Sequence, residues 1–473
     1  MMHMRLVRVY ILGEPQLMPS SVSSTSTVKV FKENGPLLFK LGIGFFADAY
    51  DLFVIDLVLA MLSELNHEDP TGVGLNSATK GAIAAATSVG AVVGMILFGV
   101  LGDRVGRRVS ILVTGTLVAL GSIASACAQR SSTFPLADQL ILFRFVLGIG
   151  IGGEYPLSAA MASERSSTDI RGRVTAGVFS MQGLGLLTAS IVPLVLVAAK
   201  VPLEAAWRTS LAFAVVPVPI ALYLRFRMSE SAAFMNSQRS RRGSACDRVK
   251  ASLSIILSFL IPLLGTSLSW FFMDITFYGT GEFKHAVSSD IFPSGEGLEK
   301  ITNDGIFAVI VAVIALPGYI CACLFIDKLG RWTLQVLGFC MMVVFYLVMA
   351  VCIQFNANAY LNLVVFGVTF FWTNFGPNTT TFIIPSEIFP TEVKTTCHGF
   401  SAAMGKVGAI IGTYSFPVVQ DGIGLNGVMY VCTGVAALGL ASTLVFLRRA
   451  VADGAPDVSE CRTASKLSTV DIA

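Results

Sequence analysis

Twelve stretches of about 20 mostly apolar residues dominate this chain, and each is long enough to cross a bilayer as a helix. They fall roughly at 37–62, 78–101, 109–129, 136–162, 173–199, 205–226, 252–279, 302–326, 333–354, 360–384, 395–420 and 425–448. Hydrophobic residues make up 54% of the 473 and charged residues only 13%, with a mean hydropathy of +0.73. Soluble domains carry about 25% charged residues. A chain this apolar cannot cover a folded surface with polar groups. The expectation is an all-α membrane protein with twelve transmembrane helices.

Basic residues alternate between the two sides of these spans. One side collects Lys29, Lys32, Arg104, Arg107, Arg108, Arg165, Arg171, Arg173, Arg225 through Lys250, Lys328, Arg331, Lys394, Arg448 and Arg449; the other has little beyond Lys80, Arg130, Lys200, Lys284 and Lys300. The positive-inside rule makes the rich side cytosolic, with both termini there. The first 36 residues show no charged, apolar and cleavage regions in order, so they read as a cytosolic tail before an uncleaved first span. A net charge of +3 gives no case for nucleic-acid binding.

The two halves of the chain resemble each other. Phe45-Phe46-Ala47-Asp48 returns as Phe271-Phe272-Met273-Asp274 (271 − 45 = 226), Asp103 as Asp327 (327 − 103 = 224), Glu164 as Glu387 and Arg171 as Lys394 (387 − 164 = 394 − 171 = 223). Two homologous six-helix halves follow, parallel because six spans return the chain to its starting side. The expected domains are a tail at 1–36, bundles at 37–226 and 252–448, a linker at 227–251 and a tail at 449–473. Such transporters bind substrate between the halves near the midplane.

An ionisable group at mid-helix costs about 2.5–3.5 kcal/mol on insertion scales, so those present mark function or pairing. Here they are Asp48, Asp51, Arg144, Glu154, Asp274 and Lys406. Trp270, Asp274 and Tyr278 repeat every four residues and share one helix face. Asp48 and Asp51 share a face, as do Asn374 and Asn378 around Pro377. Donors from Lys406, Trp270, Tyr155, Tyr278, Gln182 and Asn378, with titratable Asp48, Glu154 and Asp274, suit an oxyanion carried with protons. Gly148-x-Gly150-x-Gly152-Gly153 lacks the strand of a dinucleotide loop and reads as close helix packing, with Pro156 expected to kink the helix behind it. Asn378-Thr379-Thr380 fits a glycosylation sequon, although it falls within a span. Six of the nine cysteines (Cys127, Cys321, Cys323, Cys340, Cys352, Cys432) sit in apolar runs, as small hydrophobes rather than metal ligands. No Walker motif, cofactor site or nucleophile–base pair is present, which argues against ATP-driven transport and against an enzyme.

Four stretches carry a family resemblance. They are Gly44-Phe45-Phe46-Ala47-Asp48-Ala49-Tyr50-Asp51-Leu52-Phe53, Gly152-Gly153-Glu154-Tyr155-Pro156-Leu157-Ser158, Phe375-Gly376-Pro377-Asn378-Thr379-Thr380-Thr381-Phe382, and Pro385-Ser386-Glu387-Ile388-Phe389-Pro390-Thr391 running on through Cys397-His398-Gly399 to Lys406. Over about 37–448 the chain resembles the major facilitator superfamily, and within it the phosphate:proton symporters. The resemblance implies a phosphate site lined by Tyr155, Gln182, Trp270, Asp274, Tyr278 and Asn378, with Lys406 beside the substrate. It implies a proton path through Asp48 and Glu154, the latter standing where the family carries Asp; Asp51 and Asp274 join them as proton-coupling candidates. Asp103, Arg104, Arg144, Glu164, Arg171, Asp327, Arg331 and Glu387 are the expected gating groups. The function expected is proton-coupled import of inorganic phosphate by alternating access, in the plasma membrane. The alternatives are another anion (a glycerophosphodiester, sulfate or an organic acid) or a phosphate receptor.

Overall fold

The computed structural model describes residues 27–68, 75–240, 244–280, 288, 291–292 and 297–453. Lys284, most of the N-terminal tail and residues 454–473 of the C-terminal tail lie outside them. The described residues are almost entirely helical, with no strand among them. Ten helical stretches are long and apolar enough to cross a membrane. The first span is not among them: it is divided at Val54 into Thr27–Phe53 and Ile55–Glu68, and the apolar part of the longer piece carries Lys40, Asp48 and Asp51. The stretch Lys394–Val451 holds two spans, separated at Gly424, whose φ of 73° interrupts the helix. Ten, plus the divided first span, plus the doubled last stretch, gives twelve.

Helix ends differ from expectation where local chemistry overrides hydropathy. The first helix begins at Thr27, inside the stretch read as tail, and carries a solvent-exposed Lys29–Glu33 pair at i, i+4. The tenth span is two helices, Ala359–Phe375 and Pro377–Ile388, joined at Gly376. Pro377 has no N–H to donate, so the break falls where the ring excludes a continuous ladder. The fourth span, Leu136–Glu164, stays helical through Pro156. The sequon at Asn378 is buried within the tenth span. The stretch read as linker contains a short helix, Ala232–Ser240, and the start of another, Ala245–Ser258, capped by Ser244.

Packing repeats with a shift of six spans. The second and third spans lie on the fourth and the first on the fifth; the eighth and ninth lie on the tenth and the seventh on the eleventh. The halves meet along two seams, second against eleventh and fifth against eighth. Glycine allows the tightest approaches: a Cβ on Gly148 or Gly152 would fall on the backbone carbonyls of Thr87 or Ala91, so the second and fourth spans touch backbone to backbone. Gly106 and Gly330, with φ of 124° and 83°, make the twin turns ahead of the third and ninth spans. Large apolar side chains such as Ile96, Leu142, Val195, Val313 and Leu438 face outward, where lipid would cover them. Below, the face bearing the two short basic loops is called the basic-loop face.

Candidate functional site

The Trp270–Asp274–Tyr278 stripe faces the central plane between the halves, and a lysine from the eleventh span meets it. Lys406 Nζ lies 3.5 Å from Asp274 Oδ2 and donates to the Tyr278 hydroxyl at 2.5 Å. The same ammonium stands 4.1 Å from the Tyr278 ring centroid and 5.6 Å from that of Tyr155, which comes from the other half. Lys406 is 3% exposed and Asp274 2%, so the pair is shielded from bulk water. Tyr155 and Trp270 face each other with centroids 6.3 Å apart. Asn378 Nδ2 donates to Asn374 Oδ1 (2.7 Å) and to the Tyr319 hydroxyl (3.2 Å). Gln182 is buried, and its Oε1 accepts no hydrogen bond from any described residue. The structure thus brings Tyr155, Trp270, Asp274, Tyr278 and Lys406 into one cluster and sets Asn378 in a second polar group with Asn374 and Tyr319.

Aromatic rings enclose this layer. Toward the basic-loop face, Phe382 of the tenth span packs on Phe45 (5.2 Å) and Phe179 (4.8 Å) of the other half. His398 ties this floor to the site: its ring meets Trp270 at 5.6 Å and Phe382 at 5.4 Å, and its Nε2 lies 2.9 Å from the Phe382 carbonyl. Toward the opposite face, Phe53 stacks on Tyr278, with centroids 6.1 Å apart and planes 9° from parallel. Beyond that stack lies a cavity between the halves, lined among others by Phe53, Asp56, Phe277, Tyr319, Phe370 and Asn374. The cavity reaches the Tyr319–Asn374 group but stops short of Asp274 and Lys406; the Phe53–Tyr278 stack is the partition.

Other expected groups lie within the N-terminal half. Glu154 and Asp48 are buried, and Glu154 is held by Arg225, a residue assigned from sequence to the basic loop. The structure corrects that assignment: Arg225 is fully buried and points back between the first and fourth spans, because its long side chain follows the opening left by Gly44. Asp51 Oδ2 accepts from Ser122 at 2.6 Å, and Arg144 donates to the Asp51 backbone carbonyl at 2.6 Å. Arg144 therefore joins two spans of one half.

The basic-loop face is closed by two like triangles. Arg107 pairs with Asp103 (3.2 Å) and Glu164 (3.0 Å); Arg331 pairs with Asp327 (2.9 Å) and Glu387 (2.8 Å). Each aspartate then reaches the first turn of a helix in the other half. Asp103 accepts from the Thr395 and Thr396 backbone N–H groups (3.2 and 2.8 Å) and from the Thr396 hydroxyl (2.7 Å). Asp327 accepts from Arg173 Nε at 2.8 Å and its backbone N–H at 3.2 Å. A carboxylate at a helix N-terminus satisfies free N–H groups and complements the helix dipole. Sequence reasoning named Arg104 and Arg171; Arg104 is exposed, while Arg107 and Arg173 make these contacts. For Arg107 the spacing held the signal, since 331 − 107 repeats the offset of 224; Arg173 has no such counterpart. Tyr319 and His398 gave no such signal, being single polar residues in apolar or short motifs.

A family model described as "Sugar (and other) transporter" matches residues 40–253 and 297–453. The chain belongs to that family, part of the major facilitator superfamily. The family is one of transporters, so the protein is a transporter and not an enzyme. Among similar proteins, the probable inorganic phosphate transporter 1-6 of Arabidopsis thaliana is 34% identical over 458 residues, covering 85% of this chain and 89% of that one. The inorganic phosphate transporter 1-1 of Oryza sativa subsp. japonica is 34% identical with the same coverages. Among solved structures, the proton:xylose symporter XylE bound to 6-bromo-6-deoxy-D-glucose shares the fold, with a TM-score of 0.72 at 20% identity over 87% of this chain and 94% of that chain.

Proposed function

We propose that this protein is a proton-coupled symporter that imports inorganic phosphate by alternating access. The observation that carries the reading is the buried Lys406–Asp274 pair, ringed by the Tyr278 and Tyr155 phenols and the Trp270 indole at the meeting of the halves. A buried ammonium needs a negative partner, and here two can compete for it. With Asp274 protonated, Lys406 is free to hold a phosphate oxygen, assisted by Tyr155, Tyr278, Trp270, Gln182 and Asn378. With Asp274 ionised, the carboxylate reclaims Lys406 and repels the anion. A single charge contact at 4 Å is worth about 4 kcal/mol at an effective dielectric of 20, enough to change occupancy by roughly a thousandfold. Release thus follows loss of the proton, and uptake needs its gain.

The Lys/Arg bias of the loops supports an orientation with the basic-loop face and both termini in the cytosol; the plasma membrane is the proposed host. Closed triangles on that face and a cavity on the other then describe a carrier sealed toward the cytosol. Phosphate identity draws its support from the phosphate transporters at 34% identity. Vesicles reconstituted with the protein should accumulate labelled phosphate when an inward proton gradient is imposed, without ATP or sodium. Sodium-dependent uptake that ignores an uncoupler ends the proton reading. Stronger competition by sulfate or a glycerophosphodiester than by unlabelled phosphate reassigns the cargo.

A further inference from the structure

Away from Lys406, the N-terminal half buries three charged groups against one another: Asp48, Glu154 and Arg225. Arg225 leaves the last turn of the sixth span and donates through both terminal nitrogens to the two oxygens of Glu154, with Nη2–Oε2 at 2.6 Å. Gly44 admits it, since a Cβ there would fall on the guanidinium. A two-pronged guanidinium contact requires an ionised carboxylate, and arginine does not surrender its proton in a protein. The pair is therefore neutral only as a unit, and both Glu154 oxygens are occupied.

The Asp48 carboxyl lies in hydrogen-bond contact with Glu154, and its buried Oδ2 receives no hydrogen bond from any described residue. Two touching carboxylates cannot both stay ionised at low dielectric. The one positive charge that reaches Asp48 is Arg225, whose two terminal nitrogens are both engaged by Glu154; Asp51, one turn along the same helix, and the Tyr155 phenol of the fourth span add none. A proton on Asp48 converts the repulsion into an O–H···O contact and resolves the unsatisfied oxygen.

We infer that Arg225 is a positioning residue: it locks Glu154 as a permanent carboxylate and makes Asp48 the proton-exchanging member of the two touching acids. Asp48 takes one proton from water on one face and returns it to water on the other; Glu154 carries none. The direction of that flow rests on the symport reading, whereas the protonation assignment does not.

Infrared spectroscopy of the purified full-length protein reads neutral buried carboxyl groups directly. Asp48→Asn, which leaves the Arg225–Glu154 pair intact, should lose one carbonyl band present in the wild type. The double variant Glu154→Gln/Arg225→Met, which removes both charges together, should keep that band. Arg225→Met alone should add a band as Glu154 takes up a proton. In vesicles, Asp48→Asn should lose pH-driven phosphate accumulation and retain phosphate exchange, and the double variant should still accumulate. A band lost in the double variant and kept in Asp48→Asn overturns the inference. So does failure of the double variant to accumulate, at a wild-type unfolding temperature, while Asp48→Asn succeeds. If wild-type vesicles accumulate no phosphate, the symport reading falls, and the band comparison still decides between Asp48 and Glu154.

Discussion

At the scale of single residues, Asp274 is the sharpest test of the coupling scheme. Asn in its place keeps the shape but never competes for Lys406, so Asp274→Asn should retain phosphate binding and exchange and lose concentrative uptake. Uphill accumulation by this variant at wild-type rate removes Asp274 from the mechanism. Trp270→Ala takes one donor from the site; hydrogen bonds to charged groups are worth about 1.5–3 kcal/mol, so affinity should fall roughly ten- to a hundredfold. Cys321→Ala, a half-buried packing position on the eighth span, should leave affinity unchanged in the same binding assay. The stripe behind these predictions was legible because its members repeat every four residues on one helix. Lys406 was named with them as a mid-helix charge and by the family resemblance, but it is 128 residues from Tyr278, and its contact with the stripe is set only by the fold. Arg225 was misplaced for a related reason. An arginine at a helix end reads as a loop charge until the glycine opposite shows where the side chain goes.

At the scale of elements, the glycines of the second and fourth spans set how closely helices pass. The run Gly148 to Gly153 was legible as packing because no strand precedes it, but which carbonyl each glycine faces depends on register. Gly152→Val should push the second span away from the fourth and lower the unfolding temperature in detergent, at a cost of about 1–3 kcal/mol as for other overpacked sites. Gly434 provides the contrast: a Cβ there meets nothing within 4 Å. Gly434→Ala should be neutral or stabilise by up to about 1 kcal/mol through helix propensity. Equal losses in both would mean that backbone approach is not what those glycines supply. Element boundaries were the least legible part. The division at Val54 and the joint at Gly376 depend on tertiary packing and a missing proline N–H, whereas hydropathy records only that both stretches are apolar.

At the scale of the whole molecule, the internal repeat sets how the two halves meet at the basic-loop face. The same aspartate–arginine–glutamate triangle occurs once per half, and each aspartate holds the first turn of a helix in the other half. Closure is thus built from contacts that both halves make with one another in the same way. The repeat offsets of 224 and 223 made the carboxylates of the triangles legible but not Arg107; they could not show that each aspartate is spent on the opposite half, because that contact exists only after the halves dock. Asp103→Ala removes the acceptor of two backbone N–H groups and a hydroxyl. If two of these bonds contribute about 1 kcal/mol each, the closed population should fall by roughly thirtyfold relative to the open one. Spin labels at exposed Arg104 and Lys328, in the last turns of the second and eighth spans in opposite halves, should then report a longer distance as the dominant state. Glu33→Ala, which breaks an exposed pair that belongs to neither triangle, should leave that distance unchanged. A wild-type distance distribution in Asp103→Ala would mean that the two seams between the halves, and not the triangles, hold this face shut.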